Sequence, residues 1–337
     1  MSVSASADQP DDEPSDDEPA LVPAHGQARA VAVRWAVPPD CHGKTAVEAL
    51  AHKVRRLGLA RARRVVEGGD LRIGERACGV DERLTRGTVL ELWRMPPDDP
   101  SDPMPTPTVL LREGGLVVVD KPGDLAVHPS ARYLHRTLTG WLFRQGVRAN
   151  PCHRLDRETS GVLVCAEPGP VESRVKGAFA AGRVDKEYLA VVRGVVAQPF
   201  TVDAPLALQG ARGLVRIRMV VDHAGRPACT DVEPVRSDGA RTLVRCRPRT
   251  GRQHQLRAHL AHAGFPIVGD KLYAMGDAWF DAFTRRALTD EQWRALDAPR
   301  QALHAARLVL VDEGVTVEAP VPAELAALVS CASSTTT

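Results

Sequence analysis

The stretch His153-Arg154-Leu155-Asp156-Arg157-Glu158-Thr159-Ser160-Gly161 sets one short acid among hydrogen-bonding side chains and runs directly into the apolar segment Val162-Leu163-Val164-Cys165-Ala166. Ala149-Asn150-Pro151 ahead of it break regular structure, and Gly161 behind it supplies the backbone freedom for a turn into a buried strand. Asp156 therefore sits on a loop against a rigid strand, where binding and catalytic groups are usually carried. An Asp between two arginines is by itself most often a surface ion pair. His153, Thr159 and Ser160 argue for more, since short polar side chains beside a buried strand can fix one acid in place.

A second set of candidates lies downstream. Residues 242–249 read as a strand with Val244 and Cys246 on a buried face and Arg245, Arg247 and Arg249 on a strongly positive one. Thr250-Gly251 turn the chain into a helix over 252–262, ended by Gly264 and Pro266, and a helix start flanked by arginines suits an anion. His254, His259 and His262 fall on that helix. Their i+5 and i+8 spacing does not gather them on one face, and no Cys or carboxylate lies among them, so no metal is expected. A hydrolase using Ser160 and a histidine is a poor fit, because no nucleophile-elbow sequence surrounds the serine.

These groups need a scaffold, and 337 residues with 44% apolar content supply one, in two unequal domains. There is no run of about 18 uncharged apolar residues, and the N-terminus is acidic rather than basic followed by apolar. Neither a membrane span nor a secretory signal is expected, and cytoplasm is the default compartment. Seven scattered cysteines without a C-x-x-C pair read as reduced packing residues. The net charge is +2, but residues 1–20 hold seven acids and no base, which leaves +9 on residues 21–337. A basic body favours a polyanionic partner.

Residues 1–25 are too poor in large apolar groups to offset the entropy of ordering and are expected to be a disordered acidic tail. Residues 26–95 read as a small α/β module. A strand over 31–37 comes first, then a helix capped by Thr45 with Val47, Leu50, Val54 and Leu57 at helical spacing. A second helix over 60–67 follows, and two short strands at 71–73 and 89–93 complete the module. Lys53, Arg55, Arg56, Arg61, Arg63 and Arg64 cluster on its helices with few acids at i±4, a density suited to phosphates. Residues 96–107 hold six prolines and are expected to be an extended linker. A larger domain over 108–325 and a C-terminal tail over 326–337 complete the chain.

Within the larger domain the strand Leu116-Val117-Val118-Val119 ends in Asp120-Lys121-Pro122 and is followed by Val127-His128-Pro129. A helix over 171–181 leads to the strand Lys186-Glu187-Tyr188-Leu189-Ala190-Val191-Val192-Arg193-Gly194, in which Tyr188 taken alone would be core filler. With Thr250 to Tyr273 and Leu303-His304-Ala305, these pieces stand in the order of the motifs of the RluA-type pseudouridine synthases, which the chain resembles from about Leu110 to Val311. Residues 45–93 resemble, more loosely, an S4 RNA-binding domain.

The resemblance implies an α+β fold: a mixed, mainly antiparallel sheet in the catalytic domain, preceded by the S4-like module. It implies an RNA pseudouridine synthase, acting on structured RNA with rRNA ahead of tRNA, as a monomer and without cofactor. The reaction breaks the C1′–N1 bond of uridine, turns the base and rejoins C1′ to C5. One carboxylate near C1′ is the minimum requirement, as nucleophile, charge stabiliser or base. By motif position that is Asp156, with Arg252 as the cation holding it ionised and Tyr188 against the uracil, within reach of a late proton transfer. The uridine has to be flipped out of its stack, and phosphate contacts must offset that cost. Arg245, Arg247, Arg249 and Arg257 are the candidates for those contacts. Arg154 can fill the vacated stack or hold a phosphate. His128, His254, Gln255 and Lys121, in the motifs beside the site, are further candidates for RNA contact, although Lys121 alone could equally face water, and Lys53, Arg56, Arg63 and Arg64 would contact RNA from the module. A non-catalytic RNA-binding protein remains the alternative, although it gives no reason for Asp156, Tyr188 and Arg252 to occur together.

Overall fold

The computed structural model describes residues 30–54, 57–94, 103–129, 133, 135–210, 214–284 and 287–329. The expected acidic tail, Arg55 and Arg56, much of the proline-rich linker and the end of the C-terminal tail lie outside them.

The first unit runs β1 (Ala30–Ala36), α1 (Ala46–Lys53), α2 (Leu59–Glu67), β2 (Leu71–Ile73), β3 (Arg76–Ala77) and β4 (Val89–Arg94), with the strands in the antiparallel order β1-β4-β2-β3. Thr45 and Glu48 form a reciprocal capping box at the start of α1, which satisfies donors a helix start leaves open. Ala46, Val47 and Leu50 of α1 and Ala62, Val65 and Val66 of α2 pack on Leu71, Leu90 and Leu92 of the sheet. The unit thus has an apolar core of its own.

The second unit begins with β5 (Thr108–Glu113), β6 (Leu116–Lys121), α3 (Leu138–Arg144), β7 (Asn150–Pro151), β8 (Ser160–Ala166), α4 (Pro170–Ala180) and β9 (Val184–Arg193). It continues with β10 (Phe200–Asp203), β11 (Leu206–Leu208), β12 (Met219–Val221), β13 (Cys229–Ser237) and β14 (Arg241–Pro248). The chain then forms α5 (Gln255–His262), α6 (Asp277–Thr284), α7 (Asp290–Ala295), β15 (Leu303–Leu310), β16 (Val315–Glu318) and α8 (Ala323–Ala327). The main sheet has the order β10-β13-β14-β9-β15-β8-β6-β5, with β16 paired to β15 and β7 to β8. A parallel pairing sets His304 and Ala305 of β15 against Ser160 and Gly161 of β8. This is the mixed, mainly antiparallel α+β architecture expected of the sequence.

β8 is buried at all seven positions because it is covered on both faces. Val162 and Val164 face Val175 and Ala178 of α4, while Leu163 and Cys165 face Leu138, Trp141 and Leu142 of α3. Gly161 is obligatory here. Its φ is +111°, and a Cβ would fall 2.2 Å from the carbonyl oxygen of Ala305. The loop carrying Asp156 is therefore bolted to the centre of the sheet four residues later.

Three local expectations are corrected. Asn150-Pro151 is not a plain break but the short β7, antiparallel to Ala166 and Cys165. The helix expected from residue 252 starts at Gln255, because His254 takes a left-handed backbone with φ +48°. Val329 packs with Leu325, Leu256 and Leu260, so the core extends past the expected boundary at 325. The six described cysteines are free thiols, five of them buried.

Candidate active site

Asp156 precedes β8 on a loop tied down at His153 on one side and at Glu158, Thr159 and Ser160 on the other. The His153 Nε2 accepts from the Val164 N–H at 3.0 Å, its ring stacks on Phe179 at 4.4 Å, and burial pushes its pKa down to about 3, so it is a neutral acceptor. Both oxygens of Glu158 accept from Lys271 Nζ at 2.9 Å. Thr159 Oγ1 accepts from Gln301 Nε2 at 2.6 Å, and Ser160 Oγ lies 3.0 Å from His304 Nδ1. Ser160 and His304 are buried, which removes the hydrolase reading: no substrate reaches that pair.

The Asp156 carboxylate meets Arg257, whose Nη1 donates to Oδ2 at 2.8 Å; Gln301 Nε2 donates to the same oxygen at 3.4 Å. His254 Nε2 stands 4.0 Å from the other oxygen. Arg257 is itself fixed by the fully buried Asp270, donating from Nε at 2.8 Å and Nη2 at 3.1 Å, and by the Tyr273 ring 5.0 Å away. Burial works to raise the Asp270 carboxyl. Arg257 and the N–H groups of Tyr273 and Leu272 outweigh it and hold Asp270 below the usual carboxylate range. Tyr273 closes the chain of contacts, lying 3.0 Å from His254 Nδ1 and accepting from the Met219 N–H at 2.8 Å.

Asp156, Tyr188, Arg154, Arg252, His254, Gln255 and Arg257 all line one cleft of about 370 Å³, within the roughly 300–1,000 Å³ typical of small-ligand sites. Tyr188 stands at the middle of β9, opposite Cys246 of β14 and Ala305 of β15. Burial first, and the Asp156 charge second, push its hydroxyl above the ordinary tyrosine range, so it stays protonated as a hydrogen-bond donor.

The cation seen to meet Asp156 is Arg257, where motif position had favoured Arg252. Arg252 lies on the turn before α5, where its Nε donates to the Pro227 carbonyl at 3.1 Å, whereas Arg257 points inward from a helix whose residues 255–260 are all buried. Arg257 is for the same reason no phosphate contact. Gln255 is consumed internally, accepting from Thr250 Oγ1 and the Arg252 N–H and donating to Cys229 O and Thr230 Oγ1. His254 is buried against Tyr273.

Lys121 neither faces water nor reaches RNA: it is fully buried, and its Nζ donates to the carbonyls of Pro122, Leu125 and Arg157 at 2.9, 2.8 and 3.0 Å. It clamps the turn after β6 to the residue following Asp156. Burial pushes its pKa down to about 7. His128 is exposed, near the Arg154 charge.

The strand face of Arg245, Arg247 and Arg249 is not positive on balance. Arg245 and Arg247 pair with Glu187 of β9 and Glu233 of β13, and Arg249 grips Asp231 at 2.8 Å from two nitrogens. In the first unit Lys53 and Arg63 are exposed, but Arg64 pairs with Asp281 of α6 at 2.9 Å and joins the two units rather than facing a ligand. Asp40, Cys41 and His52 have ligand atoms within 4.8 Å of one another. The Asp40 and His52 side chains already meet at 3.1 Å beside the buried thiol, and the trio is no part of the Asp156 cleft.

Sequence reasoning gave no role to Asp270, Tyr273, Gln301 or Lys186. A signal for Asp270 was present: an arginine on the buried part of a helix requires an acid, and Asp270 follows in the same motif.

A profile of the RNA pseudouridylate synthase family matches residues 115–262. The chain is 37% identical over 233 residues to the ribosomal large subunit pseudouridine synthase D of Xanthomonas campestris pv. campestris, an alignment covering 66% of this chain and 68% of the relative. It is 32% identical over 222 residues to the mitochondrial tRNA pseudouridine(32) synthase of Saccharomyces cerevisiae, covering 64% of this chain and 47% of the relative. The chain thus spans about half of the yeast relative and 63% of the Nitrosomonas europaea synthase D, to which it is 35% identical. Among solved structures, human RNA pseudouridylate synthase domain containing 1 superposes with a TM-score of 0.54 at 26% identity, over 70% of this chain and 91% of that one.

Proposed function

Because the chain belongs to the RNA pseudouridine synthase family, we propose that it isomerises uridines in structured RNA, with Asp156 as the group that acts at C1′. The observation that carries the reading is the Asp156–Arg257–Asp270 chain at the floor of a cleft that also presents Tyr188. A carboxylate gripped by a fixed guanidinium is held in one place and aimed, ready either to attack C1′ or to balance the charge that develops there as N1 departs. Its second oxygen lies 4.0 Å from His254 Nε2.

The base has to turn after the C1′–N1 bond breaks, and the Tyr188 ring offers a flat apolar surface for that motion. Its protonated hydroxyl can donate to a uracil carbonyl, or through water pass a proton as the C5 hydrogen leaves. Arg154 is exposed at the cleft and suits the gap left in the stack or a phosphate. Arg252 lines the same cleft on the side of the turn before α5.

The unit over 30–94 follows the helix, helix, hairpin order of an S4 module, and we assign it to RNA binding through Lys53 and Arg63. Ribosomal RNA is placed ahead of tRNA because several relatives are named for the large ribosomal subunit and one for tRNA. Action in the cytoplasm as a monomer belongs to the same proposal; among the described residues no helix is long and apolar enough to cross a membrane. The test is pseudouridine mapping in rRNA and tRNA from cells with and without the gene, repeated with purified protein on the unmodified RNA. Loss of defined sites in the deletion strain and their restoration in vitro are the expected results. Unchanged maps and no conversion would leave a non-catalytic RNA-binding protein.

A further inference from the structure

Lys186 sits two residues before Tyr188 on β9, so strand alternation places both side chains on one face, and both line the Asp156 cleft. Its Nζ donates to the Thr250 carbonyl at 3.3 Å, and a Cβ built on Gly251 would have that Nζ as its nearest neighbour, at 3.6 Å. The ammonium is thus held over the Thr250–Gly251 turn.

Several nearby cations are spent on acids of the fold, while Arg154 is exposed and Arg252 donates to the Pro227 carbonyl. Arg257 meets Asp156 and Asp270, Arg245 and Arg247 meet Glu187 and Glu233, and Arg249 meets Asp231. Among the described residues Lys186 has no such partner, and Asp185, the acid that favours its charge, projects to the opposite face of the strand. Burial accordingly pushes its ammonium below the ordinary lysine range. A half-buried ammonium with a single carbonyl contact is destabilising for the free protein. A cation so placed inside a cleft is a candidate for a functional role, and its natural complement is an anion. Asp156 is already gripped by Arg257. The remaining source of negative charge is the incoming RNA, whose target nucleotide carries a phosphodiester on each side of the sugar.

We propose that Lys186 is the phosphate anchor of the target nucleotide, gripping a phosphodiester next to the uridine whose C1′ meets Asp156. The inference rests on the isomerase reading and extends it. An ammonium at this place binds as a point charge with two N–H donors still available, and its grip fixes where the sugar sits above the carboxylate. It is a binding residue; no bond is made or broken at it.

The experiment is a double-mutant cycle between protein charge and RNA charge. The probe is a synthetic hairpin containing the mapped uridine, with a methylphosphonate replacing the phosphate either 5′ or 3′ of it. For the wild-type protein the neutral linkage at one of the two positions is expected to raise KM about tenfold, or 1.4 kcal/mol. Lys186→Met should raise KM on the ordinary hairpin by the same factor with kcat within about threefold, and the two changes together should be no worse than either alone. Lys186→Arg should restore most of the affinity, and Lys186→Gln serves if the methionine variant does not fold. Losses that multiply to about a hundredfold, a Lys186 effect confined to kcat, or wild-type indifference to both neutral linkages would each overturn the anchor. Losses that multiply would point instead to a uracil carbonyl or to plain packing as the role of Lys186. If the wild-type protein fails to convert the ordinary hairpin at all, the isomerase reading itself falls and the anchor with it.

Discussion

Arg257 joins two carboxylates, and replacing it by Met keeps most of the stem's packing while removing the charge between them. Among the described residues, Asp270 would be left fully buried with only the N–H groups of Leu272 and Tyr273 for partners. Breaking a buried ion pair from one side costs about 3–5 kcal/mol. At about 2–4 °C per kcal/mol for a domain of this size, Tm should fall by on the order of 10 °C near neutral pH. The pH dependence identifies the cause. In the wild type Asp270 is held below its unfolded value, so its contribution is present above the unfolded pKa of about 3.9 and is lost as pH falls through the folded value. Without Arg257, burial is opposed by two backbone N–H groups alone and raises the carboxyl, and the sign reverses: stability is lost as pH rises through the raised value. The gap in unfolding free energy between the two proteins should therefore be widest near pH 7 to 8 and shrink steadily toward about pH 4.5, followed by urea denaturation across that range. A gap that is constant with pH, or below about 1 kcal/mol throughout, would refute the argument that Asp270 depends on Arg257.

Three other outcomes follow from the geometry. Gly161→Ala should destabilise the second unit by at least about 3 kcal/mol in urea, since a Cβ 2.2 Å from the Ala305 oxygen forces β8 and β15 apart; a loss under about 1 kcal/mol would mean that the parallel pairing is dispensable. Tyr188→Phe should leave Tm within a few degrees and slow isomerisation in single-turnover assays, and an unchanged rate would reduce Tyr188 to a packing residue. Deleting residues 1–100 should spare turnover on a small RNA, because the cleft is built wholly from later residues. The log–log salt slope of binding to the natural RNA should flatten by about 0.7–0.9 for each phosphate that the first unit neutralises, and an unchanged slope and affinity would take that unit off the RNA.

Local pattern made much of this molecule legible. The Thr45 cap, the apolar run of β8 and the alternation of Val244, Arg245, Cys246 and Arg247 are properties of neighbours along the chain, and each was realised. What the sequence could not display was which charge meets which. The arginines of β14 read as a positive face because Glu187, Glu233 and Asp231 lie on β9 and β13, and only cross-strand register brings them alongside. Lys121 read as a surface or RNA-facing residue because the carbonyl of Arg157, 36 residues away, is one of its three acceptors. Motif position favoured Arg252 as the partner of Asp156. The left-handed turn at His254 starts α5 three residues later than expected, and from its first turn Arg257 is delivered to the carboxylate.

The central claim is that the Asp156 charge does the chemistry, and Asp156→Asn removes that charge while keeping the side chain's shape. The decisive measurement is single-turnover conversion of uridine to pseudouridine in the mapped RNA by wild-type and variant protein at saturating enzyme, with RNA affinity determined alongside. The account predicts no conversion by the variant and an affinity within about tenfold of wild type, equivalent to less than 1.4 kcal/mol. Conversion by Asp156→Asn at a measurable rate would contradict it.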